Sequence, residues 1–147
     1  MPRLVAVLLL LTALAAGGCA LVEPAPAGPL VTIETRGGEC PQGACGARVA
    51  IERDGRLHRL EPDPGQMASL PADVVAAIDG AIRATDFAAI RSRTFTGECP
   101  VNFDGQETIY EFSTPGGVER IASCEVEIDP EHPLFVAVDA ALGASPP

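Results

Sequence analysis

Apolar and polar positions along this chain fall into two rhythms, and the switches between them mark its elements. Residues 30–36 (LVTIETR) and 47–53 (ARVAIER) are rich in β-branched side chains, which suit a pleated, half-buried strand. A cysteine-bounded loop separates them, so the pair predicts a hairpin with a long connection. Asp54-Gly55 then leads into residues 56–60, and Asp-Gly between short strands predicts a tight two-residue turn. Three antiparallel strands in a row follow. The segment 61–66 (EPDPGQ) breaks the pattern with two prolines and a glycine. Beyond it the period becomes helical: Leu70, Val74, Val75, Ile78, Ala81 and Ile82 form one apolar stripe. Pro71 suits the first turn and Asp73 the positive end of the helix dipole. Gly80 weakens that helix by about 1 kcal/mol relative to Ala.

Residues 85–90 (TDFAAI) predict one more helical turn with Phe87 and Ile90 inward, and 91–106 a long loop. Residues 107–113 (ETIYEFS) and 118–124 (VERIASC) predict two strands joined by the turn Thr114-Pro115-Gly116-Gly117. Leu134, Phe135, Val138, Ala141 and Leu142 give a short amphipathic helix, and the closing GASPP is expected to fray. The order β-β-β-α-β-β-α predicts an α+β domain: a mainly antiparallel sheet of about five strands with two helices packed on one face. No internal repeat is visible.

The amino terminus has a different pattern. Arg3 precedes an unbroken apolar stretch from Leu4 to Leu11, and Ala15, Ala16, Gly17 and Gly18 lead straight into Cys19. That is the grammar of a bacterial lipoprotein export signal, and the run is shorter than the roughly 20 residues a membrane-spanning helix needs. Ala16 stands where such signals more often carry Leu, and ordinary secretion after a small residue such as Ala15 or Ala20 is the alternative. Residues 1–18 are thus expected to be a signal peptide. Residues 19–29 would be a lipidated cysteine and a Pro/Ala-rich tether, 30–142 one α+β domain, and 143–147 a disordered tail.

Charge narrows the partners. The chain has 10 basic residues, all of them Arg, and 20 acidic ones. Arg3 leaves with the signal, so nine bases face 20 acids in the mature part, a formal charge of −11. Nucleic acid needs clustered positive charge, so it is excluded as a partner. An acidic surface also disfavours anionic lipid headgroups, and membrane contact is expected through the N-terminal acyl anchor alone.

With Cys19 assigned to lipid, Cys40, Cys45, Cys99 and Cys124 remain, and an even number in an exported chain reads as two disulfides. Cys40 with Cys45 closes a tight loop containing Pro41 and Gly43. Cys99 with Cys124 would pin the long loop to the end of a later strand. A Cys₄ zinc site competes, but structural zinc ligands come as close pairs, which Cys99 and Cys124 do not form.

The densest chemistry lies between Thr94 and Glu111. Asn102, Asp104, Gly105 and Glu111 fall at positions 3, 5, 6 and 12 of a calcium loop, but position 1 is Pro100 and the usually apolar position 8 is Glu107. The plainer expectation is that Asp104-Gly105 turns the chain while Glu107 and Glu111 lie on a solvated strand face. His58 has no partner pattern, and His132 is placed to cap the last helix. No Ser lies in a Gly-x-Ser-x-Gly elbow, and Cys-Pro-Gln-Gly-Ala-Cys is too widely spaced for a thiol-exchange motif. Glu125 with Glu127 and Asp129 with Glu131 are paired carboxylates, but chain spacing cannot show a cross-cleft geometry. No catalytic residue, metal or cofactor is therefore assigned. Phe103, Asp104, Gln106 and Glu107 are the candidate binding loop, since a long loop in a small domain is often functional. The competing expectation is that Phe103 packs on the core.

The signal, the Cys-Pro-x-Gly-x-Cys-Gly loop ending at Gly46, Phe-Thr-Gly-Glu-Cys-Pro at 95–100 and Asp-Gly-Gln-Glu at 104–107 resemble uncharacterised small bacterial lipoproteins from GC-rich genomes. The resemblance spans about residues 31–142. It implies no activity and no catalytic residue. The function expected is a lipid-anchored, non-enzymatic cell-envelope module with an envelope protein partner. An exported enzyme with a hidden carboxylate or metal site, or a small inhibitor or immunity-type module, are the alternatives.

Overall fold

The computed structural model describes residues 28–40 and 43–144. Strands β1 (Val31–Cys40), β2 (Gly43–Ile51), β3 (Arg56–Glu61) and β4 (Gly65–Ser69) precede helices α1 (Ala72–Ala84) and α2 (Phe87–Arg91). A 3₁₀ turn (Pro100–Phe103), strands β5 (Gln106–Thr114) and β6 (Gly117–Ala122) and helix α3 (Pro133–Gly143) complete the domain. The fold is α+β, with one antiparallel sheet in the order β4-β3-β2-β1-β5-β6.

Several boundaries differ from the sequence reading. β4 is an additional strand: GQMAS has no β-branched residue and follows two prolines, so its strand state comes from pairing with β3, Arg56 opposite Ser69 and Arg59 opposite Gly65. The Asp54-Gly55 turn has three residues instead of two. Gly55 takes φ +86° as the left-handed closing residue, and its N–H donates to Glu52 O at 3.0 Å. Finally, the cysteine segment is mostly strand, because β1 continues to Cys40 through a bulge between Arg36 and Glu39, where Gly37 and Gly38 have φ +89° and +85°. At the other end α3 includes Gly143 and is capped by Ala144, one residue past the expected limit of the domain.

Cross-strand register sorts the side chains to two faces. Leu57, Ile51, Val31 and Phe112 form one row across four strands, and Ile33, Tyr110 and Ile121 the next. The helices cover this face. Phe87 of α2 stands 5.6 Å from Phe112, and Phe135 of α3 lies 5.2 Å from Tyr110, in tilted aromatic contacts. Ile78 and Ile82 bury the α1 stripe beside them, as the spacing predicts. Burial also pushes the Tyr110 phenol up from its usual pKa, with Asp139 adding to the effect.

The face without helices is polar and paired. One row reads His58, Ala50, Thr32, Glu111, Arg120; another Glu61, Arg48, Glu34, Ile109, Ala122. Arg48 reaches Glu111 at 3.2 Å, and Arg120 donates to Glu125 at 2.8 Å. The Glu125 hydrogen bond, helped by the charges of Glu107 and Glu111, holds Arg120 more firmly protonated.

Candidate functional site

The segment between α2 and β5 carries the candidate binding residues, and it is tied down along its length. Asp86 opens α2 by accepting from Ala88 N and Ala89 N. Thr94 then bridges to Val126, Phe95 N donates to Glu125 O at 3.0 Å, and Glu127 N donates to Arg93 O at 2.7 Å. Arg93 also meets Asp129 at 3.1 Å. The Glu131 backbone N–H, and then Arg93, hold the Asp129 carboxyl below the usual aspartate range. The first part of what reads as a long loop, residues 93–95, is thus one side of a two-stranded clasp.

Two disulfides close this end of the sheet. Cys40 and Cys45 have Cα atoms 5.3 Å apart, and Cys99 and Cys124 5.1 Å, both within the range a bridge requires. These are the pairings favoured from the sequence. Cys99 leads directly into the 3₁₀ turn, whose Pro100 supplies a φ suited to its start. Gly105 N returns to Pro100 O at 2.9 Å. Asp104 takes φ +62°, and among the described residues it is the one non-glycine with positive φ. The left-handed region tolerates Asp better than most residues but still at a cost.

Gly37 locks this turn to the sheet. A methyl group on it would overlap the Val101 side chain and lie 2.9 Å from Gly105 O, and its φ of +89° is unfavourable to any other residue. Gly37→Ala is expected to cost about 2 kcal/mol, from the left-handed backbone and the overlap together. Urea denaturation of the oxidised protein measures it; a change below a few tenths of a kcal/mol would show that the turn moves freely away.

The four candidate residues separate. Phe103 is 63% exposed, so the expectation that it packs on the core fails: its turn points it outward. Asp104 is exposed beside it, and Gln106 is exposed at the start of β5. Glu107 is the correction in the other direction. It is 3% exposed, where a solvated strand face was expected, and its carboxylate meets Arg36 at 2.7 Å. The 3₁₀ turn packs on the ends of β1 and β5 beside this position, and Arg36 makes the buried carboxylate tolerable by neutralising its charge. Arg36 is the residue sequence reasoning missed. The register that sets Val31 opposite Phe112 also sets Arg36 opposite Glu107, so pairing the two predicted strands by their apolar residues would have found it. Glu111 remains half-exposed against Arg48, which takes it away from Asn102 and Asp104 as a calcium ligand. Among the described residues no three His, Cys, Asp or Glu side chains are placed to hold a metal ion.

The remaining candidates have structural roles. His132 Nδ1 accepts from Leu134 N at 3.2 Å and caps α3, as its position suggests. Ser123 Oγ accepts from Thr108 N at 3.0 Å. His58 Nε2 is buried on the polar sheet face without a hydrogen-bond partner. Glu125 and Asp129 are each engaged by an arginine. A cleft of about 400 Å³ beside α1 is lined by Leu30, Leu70, Val75, Arg53, Asp79 and Arg83, with Asp79 bridged to both arginines. A second, of about 420 Å³, lies over β1 and β2 between Glu34, Arg36, Arg48 and Glu61. Cys19 lies outside the described residues. No family model, curated protein or solved structure matches this chain.

Proposed function

We propose that this chain is an exported, lipid-anchored module of the bacterial cell envelope that binds a protein partner through the disulfide-clamped end of its sheet. One observation carries the export reading. Four of the five cysteines are taken up in two disulfides, which belong to an oxidising compartment, and the fifth, Cys19, ends the run of small residues after the apolar stretch. Among the described residues no helix is long and apolar enough to cross a membrane, so attachment in this reading rests on acyl chains at Cys19. Binding, in preference to catalysis, is supported by an exposed aromatic residue on a rigidly held turn.

Cys19→Ser tests the anchor. The variant is expected to accumulate as unprocessed precursor or to leave the detergent phase for the soluble fraction, whereas the wild-type protein partitions into detergent with an acylated N-terminal cysteine. Mass spectrometry showing an unmodified Cys19, or a mature chain beginning elsewhere, would overturn it.

A further inference from the structure

We infer that Phe103 is the aromatic anchor of a membrane-distal docking tip, and that the partner is an envelope protein offering an apolar pocket rimmed by Lys or Arg. The inference rests on the lipid-anchor reading above for its orientation and for the partner's compartment. Its geometry stands without it.

Phe103 is the one aromatic among the large apolar side chains that remain exposed, and it is exposed on a structure that cannot easily turn it inward. The Cys99–Cys124 bridge fixes one end of its turn. Val101 wedged against Gly37 holds the middle, and the left-handed Asp104 with the Gly105-to-Pro100 hydrogen bond fixes the other end. A side chain carried on a backbone held in this way needs little reordering of its loop to dock, which is what an energetic anchor needs. A non-glycine kept at positive φ next to it is strain of the kind that persists at functional positions.

Charge defines the partner. The exposed Asp104 follows Phe103 directly, the exposed Glu98 precedes the bridged Cys99, and Gly38 packs against the Asp104 carbonyl, which brings the exposed Glu39 to the same end. The basic residue of this end, Arg36, is occupied by Glu107. The exposed charge at this end of the sheet is therefore acidic, which complements a basic rim and repels anionic lipid. Direction follows from β1. The described chain enters the sheet at Leu30, and the ten residues of β1 carry it about 30 Å to the clamped end. A tether ending at Leu30 places the tip on the far side of the domain from the membrane.

The test replaces Phe103 with the photoreactive p-benzoylphenylalanine in the full, membrane-associated chain in its own bacterium, with the same probe at Val136, an exposed position of α3, as comparison. The expected result is a discrete adduct at 103 and none at 136. Its cross-linked peptide should carry Lys or Arg beside apolar residues, and its yield should fall at least about tenfold when Glu98→Lys and Asp104→Lys are combined. Unlabelled Phe103→Ala should compete at least about tenfold less well than wild type while melting at the same temperature. Adducts equal at both positions, an adduct with lipid, an adduct with a second copy of this chain, or a yield indifferent to the charge reversal would each overturn the proposal. The two readings fail separately: no adduct on a chain acylated at Cys19 removes the tip alone, and a charge-dependent adduct on a chain without acyl groups removes the anchor alone.

Discussion

Phe112→Ala is expected to lower the stability of the domain by about 4 kcal/mol, the middle of the range for truncating a buried aromatic. Phe112 is fully buried, and it is the shared neighbour of the aromatic cluster. Phe87 approaches it from α2 at 5.6 Å, Phe135 from α3 at 6.3 Å, and Tyr110 stacks along the same strand at 5.8 Å. It also lies in a row with Val31, Ile51 and Leu57, at the middle of the sheet. A cavity there is lined by side chains from both helices and several strands, so no single element can shift to fill it. Chemical denaturation monitored by the Tyr110 signal and by far-UV circular dichroism gives the number. A loss under about 2 kcal/mol would mean that α3 closes onto the sheet.

The second large effect is the loss of the Cys99–Cys124 bridge. Its sequence separation of 25 gives about 3.5 kcal/mol in the chain-entropy account, against about 2 kcal/mol for the separation of 5 between Cys40 and Cys45. The pair Cys99→Ala/Cys124→Ala should therefore melt below the pair Cys40→Ala/Cys45→Ala. Structure sharpens the contrast. The longer bridge joins the 3₁₀ turn to the chain just past β6, and without it the two segments are held by the clasp between Thr94 and Val126, by the Ser123–Thr108 hydrogen bonds and by the packing of Val101 at Gly37. The shorter bridge sits at the end of a hairpin already paired at Glu39–Ala44 and Cys40–Gly43. Equal melting temperatures for the two double variants would show that the clasp suffices without sulfur.

The helices, the aromatic core and the fold class were legible because one-sided apolar patterns have few ways to be buried. Leu70 to Ile82 had to lie on a sheet, and Phe135 and Val138 had to face it. β4 was not legible, since its state is conferred by a neighbour: nothing in Gly-Gln-Met-Ala-Ser favours extension until β3 presents its free edge. The candidate loop was located but its exposure was not. Whether Phe103 faces in or out depends on Asp104 adopting φ +62° and on Val101 filling the space above Gly37, the second a contact made across about 65 residues of chain. Glu107 shows the same limit. Its environment is set by Arg36, 71 residues away, through a register invisible to any local window.

The strand order has a consequence for the way the chain acquires its shape. β1 to β4 form a run of neighbouring hairpins, each closed over short distances, and β5 with β6 forms another. The two runs meet along a single seam, β1 against β5, which joins Val31 to Phe112 and Gly37 to Gln106. Local hairpins form early, whereas a contact spanning most of the domain must wait for a large loop to close. Until then β1, the longest strand among the described residues and one of the two at the middle of the sheet, has an open edge, so the interval before the seam closes is when the chain is most exposed to pairing with a neighbour of its own kind.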